Sequence, residues 1–353
     1  MIIVRFFLFL VAVSVASLLF WPVPIRPMRW QAPLPPLASG SFTENTSLAR
    51  AKRLPAGGSG PEDIAIDDDG RIYTGLADGR IMRMNPDGSH LEQFTRTGGR
   101  PLGLAFAKNG SLLIADAEEG LLAADQMGSI TVLVNQFSGR ELKYVNNLAV
   151  AADGTIYFSE SSDRFCVHEM AEEILESRPN GRIFTHDPHS GETNLFWDNL
   201  FCPNGLAIHP ERGFLLVSET TRYRVRRMWL DGPQAGREDI FIENLPGLPD
   251  HLHNDGHDLF WLTLILPRIK IVDKLAALPF LRKIPYRLPE SIKPKPQRHG
   301  YVLGLNAEGR IIHNFQDPSG IIAWTSGAIT YQDELFVGSF NDDYIARLPL
   351  KPA

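Results

Sequence analysis

The chain has 353 residues, 44% of them hydrophobic and 22% charged, with a formal net charge of −6. That length and composition suffice for a large core, and the negative balance argues against general nucleic-acid binding. The chain has no zinc-type cysteine spacing, no P-loop glycine pattern and no G-x-S-x-G elbow, while its 30 Gly and 26 Pro favour turns and short strands over long helices.

From Ile2 to Val23 the only charge is Arg5. A membrane-spanning helix needs roughly 20 apolar residues, so residues 1–24 are expected to form an uncleaved signal-anchor, a single transmembrane helix. A cleaved signal peptide is the rival reading, because Ser14-Val15-Ala16 fits a small-x-small site. The apolar run continues through Ser17 to Trp21, which favours the anchor. Either way the bulk of the chain is expected on the exported side, periplasmic or extracellular/lumenal. Residues 25–40 are Pro-rich and read as a stiff extended linker. The folded domain is expected over 41–353.

That domain is repetitive. A tight turn followed by an apolar β-run recurs as DDGRIYTG (68–75), KNGSLLIAD (108–116), ADGTIYFSE (152–160), ERGFLLVSE (211–219), NDGHDLFWLT (254–263) and YQDELFVGS (331–339). The marker residues, at 70, 110, 154, 213, 256 and 333, are spaced 40, 44, 59, 43 and 77 apart. A period near 40–45 residues is that of a four-stranded propeller blade. The expected fold is all-β, a six-bladed β-propeller, with insertions near 161–178 and 264–298. Residues 42–54 precede the first inner strand, where they can supply the strand that closes the last blade.

Four segments place an oxygen-bearing side chain at the start of an inner strand: PEDIAI (61–66), VNNLAV (145–150), PNGLAI (203–208) and PDHLHN (249–254). In a propeller all inner strands begin at the same face, so Glu62, Asn146, Asn204 and Asp250 are expected to converge on the axis. The counterparts in blades 2 and 6, RPLGLAF and WTSGAIT, offer only Leu102 and Ser326 or Gly327. Two carboxylates and two carboxamides suit one axial Ca2+ ion, which takes six to eight oxygens. Magnesium is more demanding, and zinc would want His or Cys. The competing reading makes each Asn or Asp a turn cap.

The stretch from Cys202 to Ile265, with VNNLAVAADGTIYFSESSDRF (145–165) and LFVGSFNDDYIARL (335–348), resembles the strictosidine synthase-like and gluconolactonase/paraoxonase superfamily of six-bladed propellers, closest to its adipocyte plasma membrane-associated type. The likeness runs from about residue 55 to the end. It places the metal ligands on Glu62, Asn146, Asn204 and Asp250, the set already chosen by spacing. It implies one axial calcium and hydrolysis of a small-molecule lactone or aryl ester, with Asp250 as nucleophile or general base. Asn147 stands where relatives often carry Asp. Leu102 replaces the His of a paraoxonase His dyad, and the strand TSGAITYQ lacks the Glu of strictosidine condensation, so neither of those mechanisms is supported. The alternative function is a non-catalytic, calcium-stabilised binding module.

Other residues receive expectations of their own. In a regular strand His251 points away from Asp250 and serves as a support or pocket residue, His253 packs the wall, and His168 lines the pocket from the blade 3 loop. Cys166 and Cys202 fall in adjacent blades near the ligand face, where a disulfide and two free thiols are both open readings. Insertion 267–298 carries nine Lys or Arg against Asp273 and Glu290, among apolar residues. It reads as a basic lid resting on anionic lipid or as a solvated rim loop. Arg222, Arg224 and Arg226 alternate and are expected on one solvated strand face. Trp261, Trp324 and Phe340 are expected to pack between blades.

Overall fold

The computed structural model describes residues 2–293 and 295–350. Six four-stranded antiparallel sheets and one small hairpin make up its β-structure among those residues. Blade 1 comprises Ile64–Ile66, Ile72–Gly75, Arg80–Met84 and Glu92–Arg96, and the next four blades repeat this order along the chain. The sixth is composite. Its inner three strands are Thr325–Tyr331, Glu334–Ser339 and Tyr344–Pro349, and its outer strand is Lys52–Pro55, which pairs Lys52 with Arg347 and Pro55 with Tyr344. Joining the two ends of the chain in one sheet closes the ring and leaves no free edge there.

Each inner strand turns into the second strand through the recurring tight turn. Gly70, Gly110, Gly154, Gly213 and Gly256 all have positive φ, and the sixth copy uses Asp333 at φ 62. This conformation explains the five glycines and the Asp, the residue types that tolerate it. The second strands, such as LLIAD and FLLVSE, are buried along their whole length because neighbouring blades cover both faces. The cores accordingly lie between blades: Leu113, Ala115, Leu148, Phe158 and Phe184 join blades 2 and 3, and Ile183, Trp197, Leu206, Leu215 and Val217 join blades 3 and 4. Trp261 is fully buried in the packing of blades 5 and 6, with Nε1 donating to Thr330 Oγ1 at 2.5 Å.

Both insertions lie between second and third strands, at the end where the inner strands begin. The first holds a 3-10 turn, Val167–Glu169, and helix α2, Met170–Glu176; the second holds α3, Lys270–Leu275, and α4, Lys283–Arg287. The N-terminal helix α1 runs Ile2–Phe20. (Side chains at 11, 12, 14, 15 and 19, within the expected anchor, lie outside the described residues.) Among the described residues no helix is long and apolar enough to cross a membrane.

The Pro-rich stretch after α1 is extended but is no free spacer. Ile25 is fully buried against Phe165 and Leu175. The amide of Arg26 donates to Glu176 Oε2 at 2.5 Å, that of Met28 to Glu176 O at 3.0 Å and that of Trp30 to Ala276 O at 3.2 Å. The arginine trio also departs from expectation. Arg222 ends a 3-10 turn, Thr220–Arg222, and its guanidinium stacks on Phe201 at 3.7 Å and Trp30 at 4.4 Å. Arg224 and Arg226 do lie on the strand, but Arg224 pairs with buried Glu219 at 2.5 Å and Arg226 with Glu238 at 2.6 Å. Carboxylates and rings, rather than water, decide where these side chains go.

Candidate metal centre

The six blades bring one column of residues to the axis: Glu62-Asp63, Leu102-Gly103, Asn146-Asn147, Asn204-Gly205, Asp250-His251 and Ser326-Gly327. In blades 2 to 6 the pairing of inner and second strands shifts register here, beginning at Pro101, Val145, Pro203, Pro249 and Thr325. A bulge breaks the strict alternation of side chains and re-aims them. Glycine takes the second place in alternate blades because neighbouring strands meet there almost backbone to backbone. A Cβ on Gly103 would lie 2.7 Å from Asn147 Cα, and one on Gly205 only 2.3 Å from Leu252 N.

Serine hydroxyls of the second strands, and in blade 6 of the inner strand, lock this arrangement from blade to blade. Ser159 Oγ donates to Asn204 O at 2.9 Å, and Ser218 Oγ donates to Asp250 O at 2.6 Å while accepting from Gly205 N at 2.9 Å. Ser326 Oγ donates to Glu62 O at 2.6 Å.

Glu62, Asn146, Asn204 and Asp250 are all buried, between 1% and 6% exposed. Asn146 Nδ2 donates to Ser161 Oγ at 3.0 Å and Asn204 Nδ2 to Asp250 Oδ1 at 2.6 Å, which fixes both amides. Asn146 Oδ1, Asn204 Oδ1 and Asp250 Oδ2 are left without a hydrogen-bond partner. A buried polar atom without a partner costs roughly 1–3 kcal/mol, and three such oxygens from separate blades suit a shared cation. Ligand atoms of Glu62, Asp250 and His251 lie within 4.8 Å of one another.

The electrostatics agree. Burial pushes Glu62 up despite Arg100, whose Nη2 donates to Glu62 Oε2 at 3.2 Å. Burial, with the like charges of Glu62 and Asp63, lifts Asp250 to about 7. Burial opposes the charging of His251, but Asp63, Asp250 and Glu62 together hold it at about 9. Excess buried negative charge next to unpartnered oxygens is the setting that a divalent cation relieves. The donors fit such an ion.

His251 corrects the expectation from a regular strand. The register break between Pro249 and Leu252 turns it inward with Asp250, and its Nδ1 lies 3.4 Å from Asp63 Oδ1. Asp63 is the residue that sequence reasoning missed. Its Oδ1 accepts from Ile64 N and its Oδ2 from Leu104 N, both at 2.9 Å, so it ties blade 1 to blade 2. The signal lay in the next column of the six aligned repeats, where Asp63, Asn147 and His251 alternate with three glycines. Asn147 plays the matching part between blades 3 and 4, its Oδ1 accepting from Leu206 N at 3.1 Å.

His168 does not join the site. It is exposed on the rim, and its Nε2 meets Glu118 Oε1 at 2.6 Å. Cys166 and Cys202 are both free thiols. Cys166 caps the Val167–Glu169 turn, and Cys202 is buried near Thr220 and Ser161, so each thiol is held by its own surroundings. On the insertion side the centre is roofed by Arg100, which also lies 4.1 Å from the Phe340 ring, and by buried Tyr144. On the opposite side a channel of about 340 Å³ runs down the axis, lined by Asp63, Asn147, Leu206, Leu252 and His253 among others.

Two family models match the chain: "Strictosidine synthase-like, N-terminal" over 40–84 and "Strictosidine synthase" over 146–233. An adipocyte plasma membrane-associated protein of Danio rerio is 33% identical over 351 residues, covering 93% of this chain and 84% of the relative. The chain belongs to the strictosidine synthase-like family. The Homo sapiens adipocyte plasma membrane-associated protein is 30% identical with 93% and 84% coverage, and protein strictosidine synthase-like 6 of Arabidopsis thaliana is 30% identical with 90% and 85%. Among solved structures, a gluconolactonase from Xanthomonas campestris superposes with TM-score 0.63 at 17% identity, covering 85% of this chain and 88% of that one. Regucalcin from Agrobacterium tumefaciens, a calcium-binding protein, gives 0.60 at 15%, with 84% and 93% coverage. At those identities the likeness establishes the propeller. The Asp63 and Ser326 contacts show how this member of the strictosidine synthase-like family joins its first blade to the second and sixth.

Proposed function

We propose that the protein is a calcium-dependent hydrolase of lactones or aryl esters, with Glu62, Asn146, Asn204 and Asp250 as the ligands of one axial Ca2+. The observation that carries this reading is the set of unpartnered buried oxygens on Asn146, Asn204 and Asp250. An all-oxygen donor set with two carboxylates suits calcium over zinc. The names of the gluconolactonase and regucalcin neighbours support the class of chemistry and the ion.

Held by Glu62, Asn146, Asn204 and Asp250, such an ion would supply polarisation of a substrate carbonyl and would lower the pKa of a carboxylate touching it. The rest belongs to the chain. Asn204 Nδ2 holds Asp250 Oδ1 and so orients the carboxylate, which beside the ion would attack the carbonyl carbon or take a proton from water. His251, with Nδ1 3.4 Å from Asp63 Oδ1 and a ring nitrogen within 4.8 Å of Glu62 and Asp250, is the chain's candidate to give a proton to the leaving oxygen. Asp63 and Asn147 keep the inner strands in register through backbone amides, and Asn147 also lines the channel.

A second reading is favoured by one observation: the four proposed ligands are almost wholly buried and roofed by Arg100 and Tyr144. In that reading the ion only stabilises a non-catalytic binding module. Condensation of the strictosidine type is not proposed, because the inner strand Thr325–Tyr331 has no carboxylate. A panel of lactones and aryl esters, run with and without EDTA on wild type and Asp250→Asn, separates the readings. Activity lost under both treatments supports the hydrolase. Activity that survives both refutes it, and no turnover with intact calcium binding favours the module.

We also read α1 as a single-pass anchor with the propeller on the exported side. Ile2, Phe6, Phe7 and Phe9 are each more than 60% exposed, and the sequence from Ile2 to Val23 carries the single charge Arg5. The membrane association in the relatives' name supports it.

A further inference from the structure

We propose that the blade 5 insertion is a docking surface for an anionic lipid bilayer, and that it holds the metal-centre end of the propeller against the membrane. This rests on the anchor reading of α1 for its geometry.

The insertion has a net charge of +7 over 267–298 in a chain of −6. The structure divides those cations into two groups. The arginines serve the fold: Arg268 Nε donates to Leu245 O at 2.7 Å, Arg282 Nη2 to Ile174 O at 2.9 Å, and Arg298 pairs with Asp342 at 2.9 Å. The lysines do not. Lys270, Lys274 and Lys295 are exposed and Lys283 is half-exposed, and none has a carboxylate within ion-pair distance among the described residues.

Between these lysines stand large apolar side chains that keep about half or more of their surface exposed. Ile271 is 44% exposed, Leu278 50%, Phe280 48% and Ile292 62%. Lysines interleaved with exposed Ile, Leu and Phe match a headgroup layer, which offers anionic charge to the first and acyl chains to the second.

The patch is also continuous with the end of α1. The Phe280 ring lies 5.9 Å from that of Phe20, and Arg287 donates through Nη1 to Leu18 O at 2.9 Å and through Nε to Trp21 O at 2.7 Å. Where α1 leaves a bilayer, the insertion meets the same interface. The linker at 25–30, bonded to Glu176 and Ala276, keeps the propeller from swinging away. A protein partner would meet instead four single apolar side chains spread over helix α3, the turn that follows it and the 3-10 turn Glu290–Ile292.

The test uses the full chain in nanodiscs, read by amide hydrogen exchange, in phosphatidylcholine and in phosphatidylcholine with phosphatidylserine. Amides of 2–20 should be protected in both. Amides of 270–281 should exchange on the order of tenfold more slowly when phosphatidylserine is present. The pair Lys270→Glu and Lys274→Glu should abolish that difference, with exchange of the core strand Phe214–Glu219 unchanged as the folding control. Unprotected amides at 2–20 refute the anchor. Protected amides at 2–20 with lipid-independent exchange at 270–281 refute the docking surface. Slowing that appears only when a soluble protein fraction is added assigns the patch to a protein partner, and also overturns it.

Discussion

Gly205→Ala tests whether the backbone contact at the column builds the metal centre. The added Cβ would lie 2.3 Å from Leu252 N, 2.6 Å from Asp250 O and 2.6 Å from the His251 carbonyl carbon. All three are backbone atoms, so no side chain can rotate away. Carbon contacts settle near 3.5–4.0 Å, and the two strands must therefore separate by roughly 1 Å. Overpacking of this kind costs about 1–3 kcal/mol. Separation also strains the Ser218 bridge, whose two bonds join Gly205 N to Asp250 O. For a domain of this size each kcal/mol moves Tm by about 2–4 °C, so a fall on the order of 5 °C is expected. The sharper readout is the response to calcium. Thermal unfolding with EDTA and with CaCl2 should show a stabilising shift in wild type and little or none in Gly205→Ala, because Asp250 moves with its carbonyl. Gly154→Ala is the control. Its φ of 95 imposes strain, but nothing lies within 4 Å, so Tm should fall while the calcium shift persists. A Gly205→Ala protein with wild-type Tm and a full calcium shift would refute the reasoning.

Other consequences are equally direct. Asp250→Asn should lower kcat/KM on any lactone or ester that proves to be a substrate by about 10²–10⁴-fold, with far-ultraviolet circular dichroism unchanged. Burial raises Glu173 from 4.5 to about 7, against hydrogen bonds from Ser162 and Asn180. The folded state then binds the proton more tightly than the unfolded chain, so stability should increase as pH falls from about 8 to 5. Asp250 and His251, also raised, add to the same slope, so Glu173→Gln should remove part of it, as urea unfolding at pH 5 and pH 8 will report; an unchanged slope would show that Glu173 contributes nothing. Both cysteines should titrate as free thiols after denaturation without reductant. In the native protein half-buried Cys166 should react well before Cys202, whose thiol burial raises well above its usual range.

Much of this was legible in the chain because the ring repeats. The positive-φ turn demanded Gly at five positions and accepted Asp at the sixth, so the blade period could be read without any partner information. Glu62, Asn146, Asn204 and Asp250 could be chosen because each opens an inner strand. What the alternation rule could not give was the bulge. It assigned His251 to the far side of the strand, and the register break at Pro249 turned it toward Glu62. Nor could local sequence show that Glu176 and Ala276 bind the Pro-rich stretch, or that Phe201 and Trp30 claim Arg222. Those contacts join residues far apart in the chain, and composition alone read them as spacer and solvated surface.

The measurement that bears most directly on the metal centre is calorimetric titration of the EDTA-treated protein with CaCl2. Wild type should bind one ion, and the charge-neutral pair Glu62→Gln with Asp250→Asn should show no heat of binding while remaining folded. Wild type that takes up no ion, or a double variant that binds as wild type does, would contradict the account.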